Sequence, residues 1–387
     1  MNFETGISTP AFVIDESRLE AALQACLSLS ADAGCRMLYS PKALAIPYVL
    51  QYLAQRVDGF SCSSLNEARL ARSIIGERGT VHLVTPGIAT THLREIAELC
   101  DFTVLNSLSH WELYSQVLAN EVSLGLRVNP GRSFVDDDRY DPCRLHSKLG
   151  VPLETLMEFL EAHPHNVQYL HGLHFHNNCD SERASDLALT VAHLMEKIGG
   201  LFESVRWINF GGGYLLSELH DPEVFCEAVR SVKRKFDVEV FVEPGAALVR
   251  SAGSLVSRVL DLFESDGVTI AVLDTTVNHM PEVLEYEFTP SVQGANEDGM
   301  YKYLLAGCTC LAGDQFGIVG FDQPLSIGSF VTFDNCGAYT FSRANTFNGV
   351  DLPSIYCQSV DGELKLIRRH EYADFANRAG AASHVGL

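Results

Sequence analysis

The sequence lacks long apolar runs, an excess of basic residues and a paired set of cysteines. It contains no stretch of about 18 uninterrupted apolar residues and no amino-terminal basic segment followed by an apolar one, so we expect no membrane partner. The net charge of -21 argues against nucleic acid as a partner, and it either suits a cationic substrate or serves only solubility. The eleven cysteines are scattered and odd in number. Because that is typical of a reducing compartment, we predict a cytoplasmic protein.

Internal repeats and low-complexity tracts are also absent. The 387 residues exceed the roughly 250 to 300 at which a single core stops growing, which predicts two domains. From residue 36 to residue 242, strand-like runs alternate with helical patterns, which predicts an α/β fold with a TIM-type (β/α)8 barrel rather than an open sheet. The predicted strands are Arg36–Tyr39, Gly59–Cys62, Val81–Thr85, Phe102–Leu105, Leu124–Val128, Gly172–Phe175, Trp207–Phe210 and Val238–Val242.

The pattern changes beyond Gly245, where short strands are separated by Gly, Asp, Asn and Pro. Such alternation predicts a mostly β domain. The early strand Ala11–Ile14 is left over from the barrel and is a candidate to join that domain. We therefore expect a barrel over residues 31–265 and a β-rich domain over residues 1–30 and 266–387. The predicted strands after Gly245 are Val268–Leu273, Tyr303–Leu305, Ser329–Phe333 and Leu364–Ile367.

Lys42 lies in Tyr39-Ser40-Pro41-Lys42, where the first predicted barrel strand ends and a helical pattern begins. Barrels carry their active sites at that end of their strands. A lysine there can form a Schiff base with an aldehyde cofactor such as pyridoxal phosphate, which acts as an electron sink. A solvated surface lysine is the alternative, since most charged residues are exposed.

Three more features follow predicted strands on the same side of the barrel. The run Gly211–Gly213 lets backbone N–H groups approach a phosphate, and a plain tight turn is the alternative. Glu243 either keeps a pyridine nitrogen protonated, which favours decarboxylation, or caps a turn. His176 is a candidate for stacking on the cofactor ring. With Lys42, these features favour pyridoxal phosphate chemistry.

The run His171-Gly172-Leu173-His174-Phe175-His176 also suggests a metal site. Strand alternation places His174 and His176 on one face, with Cys179 nearby, so a barrel metallohydrolase is an alternative from another class. Against it, no Asp or Glu is in phase on that strand, and a metal leaves the lysine and the glycine run without a role. The run Cys308-Thr309-Cys310 lacks the second cysteine pair of a zinc motif. We therefore predict no metal site.

Six motifs, in this order, resemble those of the fold-type III pyridoxal-phosphate decarboxylases, a family with an alanine racemase-like barrel that includes the ornithine and diaminopimelate decarboxylases. They are Tyr39-Ser40-Pro41-Lys42, His174-Phe175-His176, Gly211-Gly212-Gly213, Glu243-Pro244-Gly245, Cys310-Leu311-Ala312-Gly313-Asp314 and Gly337-Ala338-Tyr339-Thr340. Three further motifs resemble the carboxynorspermidine/carboxyspermidine decarboxylase branch: Tyr140-Asp141-Pro142-Cys143, His279-Met280-Pro281 and Thr346-Phe347-Asn348-Gly349. The resemblance covers nearly the whole chain, and it is more specific for fold and cofactor than for substrate.

The resemblance implies roles around a pyridoxal 5'-phosphate cofactor. Lys42 would hold the cofactor as a Schiff base, His176 would stack on its ring, and Glu243 would pair with its pyridine nitrogen. The residues expected to bind the phosphate are Gly212, Gly213 and Tyr339.

The resemblance also implies roles around a small-molecule substrate. Cys310 would return a proton to Cα after carbon dioxide leaves, and Asp314 would contact the substrate amine. In such enzymes the segment carrying both residues reaches into the neighbouring subunit's site, which implies a homodimer and a β-rich domain that contributes to the active site and the interface. The candidates for contacts with the rest of the substrate are His279, Glu282 and Glu285, and solvent exposure is the alternative for the two glutamates.

Two departures from the family pattern concern specificity. Many relatives carry a basic residue just after Glu-Pro-Gly to help hold phosphate, whereas this chain has Ala246. The carboxynorspermidine branch tends to read His-Met-Pro-Asp, whereas this chain has Glu282, and Glu285 is followed by Tyr286-Glu287-Phe288. We expect that the substrate pocket has been altered.

The resulting functional prediction is a decarboxylase acting on a 3-amino-3-carboxypropyl group and leaving an aminopropyl product. The group would be attached to a polyamine, as in carboxynorspermidine or carboxyspermidine, or to a carrier in a specialised pathway. The alternative enzyme is a diaminopimelate- or ornithine-type amino acid decarboxylase. A catalytically silent regulator with this fold would be expected to lack Lys42 or Cys310, and both are present.

Overall fold

The structure, a computed structural model, describes residues 6–381 of the chain. The chain divides into two compact units, one of residues 22–248 and the other of residues 1–21 together with 249–387. Each unit contains its own sheet. Between residues 6 and 381, no helix combines the length and the apolar character needed to cross a membrane.

The first unit is a closed barrel of eight parallel strands. Each strand pairs with the next barrel strand, and Glu239–Val242 pairs with Arg36–Tyr39 to close the ring. This confirms the predicted (β/α)8 fold. The barrel strands are Arg36–Tyr39, Gly59–Cys62, Thr80–Val84, Phe102–Leu105, Ser123–Asn129, Gly172–His174, Trp207–Asn209 and Glu239–Val242, and Val151–Pro152 is a short addition beside Ser123–Asn129.

Helices connect the barrel strands. Serine caps begin two of them: Ser64 accepts a hydrogen bond from Glu67 N–H at 3.2 Å, and Ser107 accepts one from His110 N–H at 3.3 Å. Because each serine closely follows a barrel strand, the strand-to-helix turn is encoded locally. The helices are Glu16–Ala33, Pro47–Leu53, Leu65–Ile75, Leu93–Leu99, Leu108–Leu118, Leu153–Ala162, Ala184–Phe202, Pro222–Lys235 and Ala246–Val249.

An aromatic cluster fills the barrel interior. The Trp207 ring occupies the space that side chains at Gly125 and Gly172 would need, since a Cβ there would lie 2.3 Å and 2.0 Å from the ring. Phe102 and Phe241 pack around Trp207, with ring centroids 5.5 and 6.2 Å from it. Side chains two residues further along these strands point to the same interior, one layer closer to the carboxyl ends. The aromatic cluster therefore supports a second interior layer, which is polar.

The second unit is mostly β, as predicted. Ala11–Asp15 joins its sheet, where it pairs antiparallel with Gly253–Ser265 and parallel with Ser354–Gln358. The other strands are Val268–Leu273, Tyr301–Ala306, Gln315–Phe321, Phe330–Phe333 and Leu364–Arg368, and the short helices are Glu282–Tyr286, Thr340–Arg343 and Tyr372–Arg378.

The division between the units differs from the expected boundaries at residues 30 and 265. The long strand Gly253–Ser265 was expected to belong to the barrel, but its partners Ala11–Asp15, Val268–Leu273 and Phe330–Phe333 are all strands of the β-rich unit. Sheet hydrogen bonds therefore assign this strand to the β-rich unit. The sequence analysis did not separate this strand from the barrel, because the first strand that it predicted beyond Gly245 was Val268–Leu273.

Candidate active site

The carboxyl ends of the barrel strands surround a cavity of about 560 Å³. Lys42, His176 and Glu243, which follow three different strands, all line this cavity. These three side chains are thus far apart in sequence but line the same cavity of the barrel unit.

Lys42 lies in a turn directly after the first barrel strand. Ala43 N–H donates to the Ser40 carbonyl at 3.2 Å, and Ser40 N–H donates to the Pro244 carbonyl at 3.1 Å, which ties this turn to the loop after the eighth strand. Burial lowers the pKa of Lys42, and the Glu243 carboxylate opposes that shift only in part. A lysine with a lowered pKa has more of the neutral amine that attacks an aldehyde.

Glu243 is buried at the centre of the polar layer and accepts three hydrogen bonds. Its Oε1 accepts from Ser61 Oγ and from Asn209 Nδ2, both at 2.7 Å. Its Oε2 lies 3.2 Å from His174 Nε2. Burial alone would raise the pKa of Glu243, but His174, Ser61 and the nearby Lys42 hold that pKa below its ordinary value. Glu243 is therefore an oriented, ionised carboxylate that lines the cavity.

His176 is held by the glycine loop that follows the seventh strand. Gly212 N–H donates to His176 Nδ1 at 3.0 Å, so this ring nitrogen is an acceptor and the hydrogen of the neutral ring sits on Nε2. Burial, with Lys42 and Arg127 nearby, keeps the pKa of His176 well below its ordinary value. A neutral flat ring with a fixed orientation suits stacking on an aromatic cofactor.

Each glycine of this loop is required by the backbone. Gly211 and Gly213 have φ of +67° and +88°, which side chains other than glycine rarely adopt. At Gly212, a Cβ would lie 2.3 Å from the Glu243 carbonyl oxygen. The loop therefore packs directly against the backbone of the eighth strand's end. The Gly212 N–H donates to His176, and the expected role of Gly212 in binding a phosphate stays a prediction.

The mouth of the cavity is formed largely by the segment 139–149. Asn106 anchors that segment, since its Nδ2 donates to the Lys148 carbonyl at 2.7 Å and its Oδ1 accepts from Gly150 N–H at 3.0 Å. Basic side chains outnumber acidic ones around the cavity, the reverse of the whole chain. The charged Lys, Arg, Asp and Glu residues of the lining are Lys42, Arg127, Arg139, Arg144, Lys148, Asp141 and Glu243.

Arg127 is the buried member of this basic set. Its Nη2 donates to the His176 carbonyl at 3.3 Å. Burial lowers the pKa of Arg127 to about 10, with Glu243 opposing the shift, so Arg127 stays charged near neutral pH. The cavity is therefore suited to anionic groups such as phosphate and carboxylate.

In the β-rich unit, Asp314, which was expected to contact the substrate amine, makes hydrogen bonds within the fold. Its Oδ1 accepts from Val277 N–H at 2.8 Å, and its Oδ2 accepts from Thr309 N–H at 3.0 Å and from the Thr309 hydroxyl. The side chain is buried. Asp314 thus fixes the loop 307–314, because one carboxylate oxygen binds Thr309 of that loop and the other binds Val277.

Cys310 lies in the same loop with its side chain exposed. Its backbone N–H donates to Asn348 Oδ1 at 2.8 Å, and Asn348 adopts a left-handed conformation with φ of +56°. Asp314 and Asn348 therefore hold the loop from two sides while the Cys310 thiol remains accessible.

Glu282 and Glu285, expected near the substrate, connect two short segments of the β-rich unit. Glu282 accepts a hydrogen bond from the Thr340 hydroxyl, and Glu285 forms an ion pair with Arg343. Burial raises the pKa of Glu282, against the Thr340 hydrogen bond. Tyr339, expected at the phosphate, precedes these partners with φ of +68°, an uncommon conformation that often marks functional positions. The glutamates thus hold the segment that carries Tyr339.

His279, a candidate for contact with the substrate, is buried. Its Nδ1 lies 3.0 Å from the Thr275 hydroxyl. Burial lowers the pKa of His279 to about 4, with Asp314 opposing the shift. Its expected contact with the substrate stays a prediction.

The three histidines in and beside the sixth barrel strand each have hydrogen-bond partners in the protein. His171 Nδ1 accepts from Leu124 N–H at 3.1 Å, while His174 and His176 bond to Glu243 and Gly212. Over residues 6–381, no three His, Cys, Asp or Glu side chains come together in a group able to hold a metal ion.

Sequence reasoning did not assign site roles to Ser61, His174 and Asn209, the three donors to Glu243. A signal was present for two of them. Asn209 and His174 each stand two residues after a member of the aromatic layer, Trp207 or the Gly172 that makes room for it, so period-two alternation places both inside the barrel. A buried polar side chain in that phase needs a polar partner.

Comparison with known proteins identifies the class that this site defines. Residues 17–250 match the family described as "Pyridoxal-dependent decarboxylase, pyridoxal binding domain". The chain therefore belongs to the pyridoxal-dependent decarboxylase family, which makes it a carboxy-lyase and confirms the predicted fold-type III resemblance.

Individual relatives place the chain within that family. It is 34% identical to the carboxyaminopropylagmatine decarboxylase of Synechocystis sp., covering 97% of this chain and 96% of the relative. It is 32% identical to the carboxynorspermidine/carboxyspermidine decarboxylase of Herminiimonas arsenicoxydans, covering 96% and 99%. Among solved structures, the carboxynorspermidine decarboxylase of Campylobacter jejuni complexed with norspermidine superimposes with a TM-score of 0.87 at 30% identity, covering 96% of this chain and 100% of that one.

Proposed function

We propose that the chain uses pyridoxal 5'-phosphate to remove the carboxylate of a 3-amino-3-carboxypropyl group, leaving an aminopropyl product. The convergence of Lys42, His176 and Glu243 on one cavity carries the proposal. The relatives are named for carboxynorspermidine, carboxyspermidine and carboxyaminopropylagmatine, three carboxylated polyamines that each contain an aminopropyl unit. The unit that these names share supports our proposal for the group that is decarboxylated. The rest of the substrate would be a polyamine or another carrier. We further propose that the enzyme works in the cytoplasm.

The barrel residues fit the cofactor in chemistry and in position. When bound, pyridoxal phosphate supplies an electron sink for the electrons left by departing carbon dioxide. Lys42 would hold the aldehyde carbon of the cofactor, His176 would support its ring, and the ionised Glu243 would pair with its ring nitrogen. In the barrel unit, Gly212 and Gly213 would bind the phosphate.

The reaction also needs an acid that returns a proton to Cα. We assign this role to Cys310, because its thiol is exposed at the tip of a loop that Asp314 and Asn348 hold. Accessibility of the thiol supports a homodimer in which this loop reaches the neighbouring subunit's site. We retain Glu285 as the candidate contact for a distal substrate amine, since its side chain is partly exposed.

A second candidate, a diaminopimelate- or ornithine-type decarboxylase, is favoured in its diaminopimelate form by the basic cavity mouth. A distal carboxylate would be attracted by Arg144 and Lys148, whereas additional ammonium groups would be repelled. The two candidates thus differ in whether the far end of the substrate carries a carboxylate, since diaminopimelate has one beside its ammonium group and a polyamine has ammonium groups only.

The purified protein would be titrated with pyridoxal phosphate while its visible spectrum is recorded. Carbon dioxide release would then be measured with carboxynorspermidine and, separately, with meso-diaminopimelate. We expect a cofactor band in the wild type and in Lys197→Ala, a change of an exposed lysine, and no such band in Lys42→Ala.

Faster release from carboxynorspermidine supports the main proposal, and faster release from diaminopimelate replaces it with the second candidate. An unchanged band in Lys42→Ala, or no band in the wild type, would overturn the cofactor assignment itself.

A further inference from the structure

The Glu243 carboxylate lies in a site built to keep it charged. Ser61 and Asn209 donate to one oxygen at 2.7 Å, and His174 lies 3.2 Å from the other. All four side chains are buried. A carboxylate with three donors is fixed in orientation, and each hydrogen bond favours its ionised form.

His174 contributes to this site as a neutral donor. An ionised Glu243 only accepts, so His174 Nε2 must carry the hydrogen that lies between them. The other ring nitrogen, Nδ1, is buried without a hydrogen-bond partner. A protonated ring would place an N–H donor at that position with no acceptor, which is costly. Burial also lowers the pKa of His174, with Glu243 opposing the shift.

A neutral histidine and a histidinium differ in how much of the negative charge of Glu243 remains available to other groups. A histidinium would cancel the charge of Glu243, and the pair would then attract a second cation weakly. A neutral imidazole orients the carboxylate and leaves its full negative charge for another positive group in the cavity. A pyridinium N–H is such a group.

We propose that His174, with Ser61 and Asn209, sets the protonation of the cofactor's ring nitrogen by holding Glu243 ionised and uncompensated. The inference rests on the proposed function and adds His174 to it as a positioning residue. His174 acts through Glu243 rather than on the substrate. Removing its N–H weakens the preference of Glu243 for the charged form, and the ring nitrogen then loses the partner that keeps it protonated.

The test compares two ligands in the apo-protein: pyridoxal phosphate and its 1-deaza analogue, in which a carbon replaces the ring nitrogen. Binding of both is measured by quenching of protein fluorescence in the wild type, in His174→Leu, which lacks the donor, and in His174→Gln, which keeps an N–H donor. His165→Leu, a change of an exposed histidine, is the matched control.

We expect His174→Leu to lower affinity for pyridoxal phosphate about ten- to a hundred-fold relative to affinity for the analogue, the range for a hydrogen bond to a charged group. His174→Gln should restore most of the loss, and His165→Leu should match the wild type. With cofactor labelled with nitrogen-15 in the ring, the NMR shift should move towards the unprotonated form in His174→Leu.

If His174→Leu lowers the affinities for the two ligands by the same factor, or lowers neither, His174 has only a packing role and the inference is overturned. Ser61→Ala removes another donor with a change of one atom, and it gives the same comparison if His174→Leu fails to fold. A wild type that binds neither ligand would overturn the proposed function as well, whereas a wild type that binds both with unaltered variants would overturn only the inference.

Discussion

The barrel unit and the β-rich unit use buried carboxylates in opposite ways. In the barrel, Glu243 accepts its hydrogen bonds from the side chains of Ser61, Asn209 and His174 while still lining a cavity. In the β-rich unit, Asp314 accepts two of its bonds from backbone N–H groups, and it is buried within the loop that it holds. The Glu243 carboxylate is therefore available to a ligand in the cavity, whereas the Asp314 carboxylate stabilises its own loop.

This contrast shows what each unit contributes. The barrel offers converging side chains around a fixed space, which suits a cofactor that stays bound. The β-rich unit offers an accessible thiol, Cys310, on a loop whose backbone is tightly held. A side chain that must reach a reacting carbon benefits from a firmly held backbone, because a small displacement of the catalytic group lowers the reaction rate.

The largest expected effect is the loss of decarboxylation rate in the Cys310→Ala variant. Loss of a general acid lowers the rate about 10²–10⁴-fold. The cofactor spectrum and the unfolding temperature should not change, because the thiol is exposed. The measurements are carbon dioxide release, absorbance and thermal unfolding. Cys336→Ala, which removes a buried thiol of the same unit, should lower stability instead. A full rate in Cys310→Ala would contradict the assigned role.

Asp314→Asn tests whether this carboxylate serves the fold or the substrate. Replacing one of the two carboxylate oxygens that accept these hydrogen bonds should reduce the free energy of unfolding by about 1.5–3 kcal/mol, measured in urea. The barrel's cofactor band should remain, because Asp314 belongs to the other unit. An unaltered stability with a raised KM would instead support the substrate contact expected from the sequence.

Gly212→Ala tests the packing of the barrel's glycine loop. The added methyl would meet the Glu243 carbonyl, so we expect a loss of about 1–3 kcal/mol in unfolding free energy, together with weaker cofactor binding. Gly200→Ala is the matched control, because nothing lies within 4 Å of a Cβ at that helical position. Similar results for the two variants would contradict the close approach of the loop to Glu243.

The smallest expected effect concerns pH and His82, whose ring stacks on Phe102 of the aromatic cluster with ring centroids 4.1 Å apart. Burial lowers the pKa of His82 to about 3 from 6.5, with Glu243 opposing the shift. The folded state therefore binds fewer protons than the unfolded state between those values, and stability falls as pH falls below 6.5. We expect His82→Phe to remove about 1 kcal/mol of the loss between about pH 6.5 and about pH 5.5. Unfolding in urea at both pH values measures this, with His165→Gln as the control. An unchanged pH dependence in His82→Phe would contradict a neutral buried His82.

The sequence predicted the barrel well because its strands are short, apolar and regularly separated by helices. It also placed Lys42, His176 and Glu243 on one side of the barrel, since carboxyl ends of parallel strands meet there. It could not predict that Asp314 and Glu282 would find partners within the β-rich unit. Those partners, Val277 and Thr340, are 37 and 58 residues distant in sequence, and spacing alone carries no information on such contacts.

The central claim is that Lys42 holds a pyridoxal cofactor, and covalent capture tests it most directly. Wild-type protein loaded with pyridoxal phosphate would be reduced with borohydride, digested and sequenced by mass spectrometry. The account predicts one modified lysine, Lys42, in the peptide that contains Tyr39-Ser40-Pro41. Modification of another lysine, or of none, would contradict it.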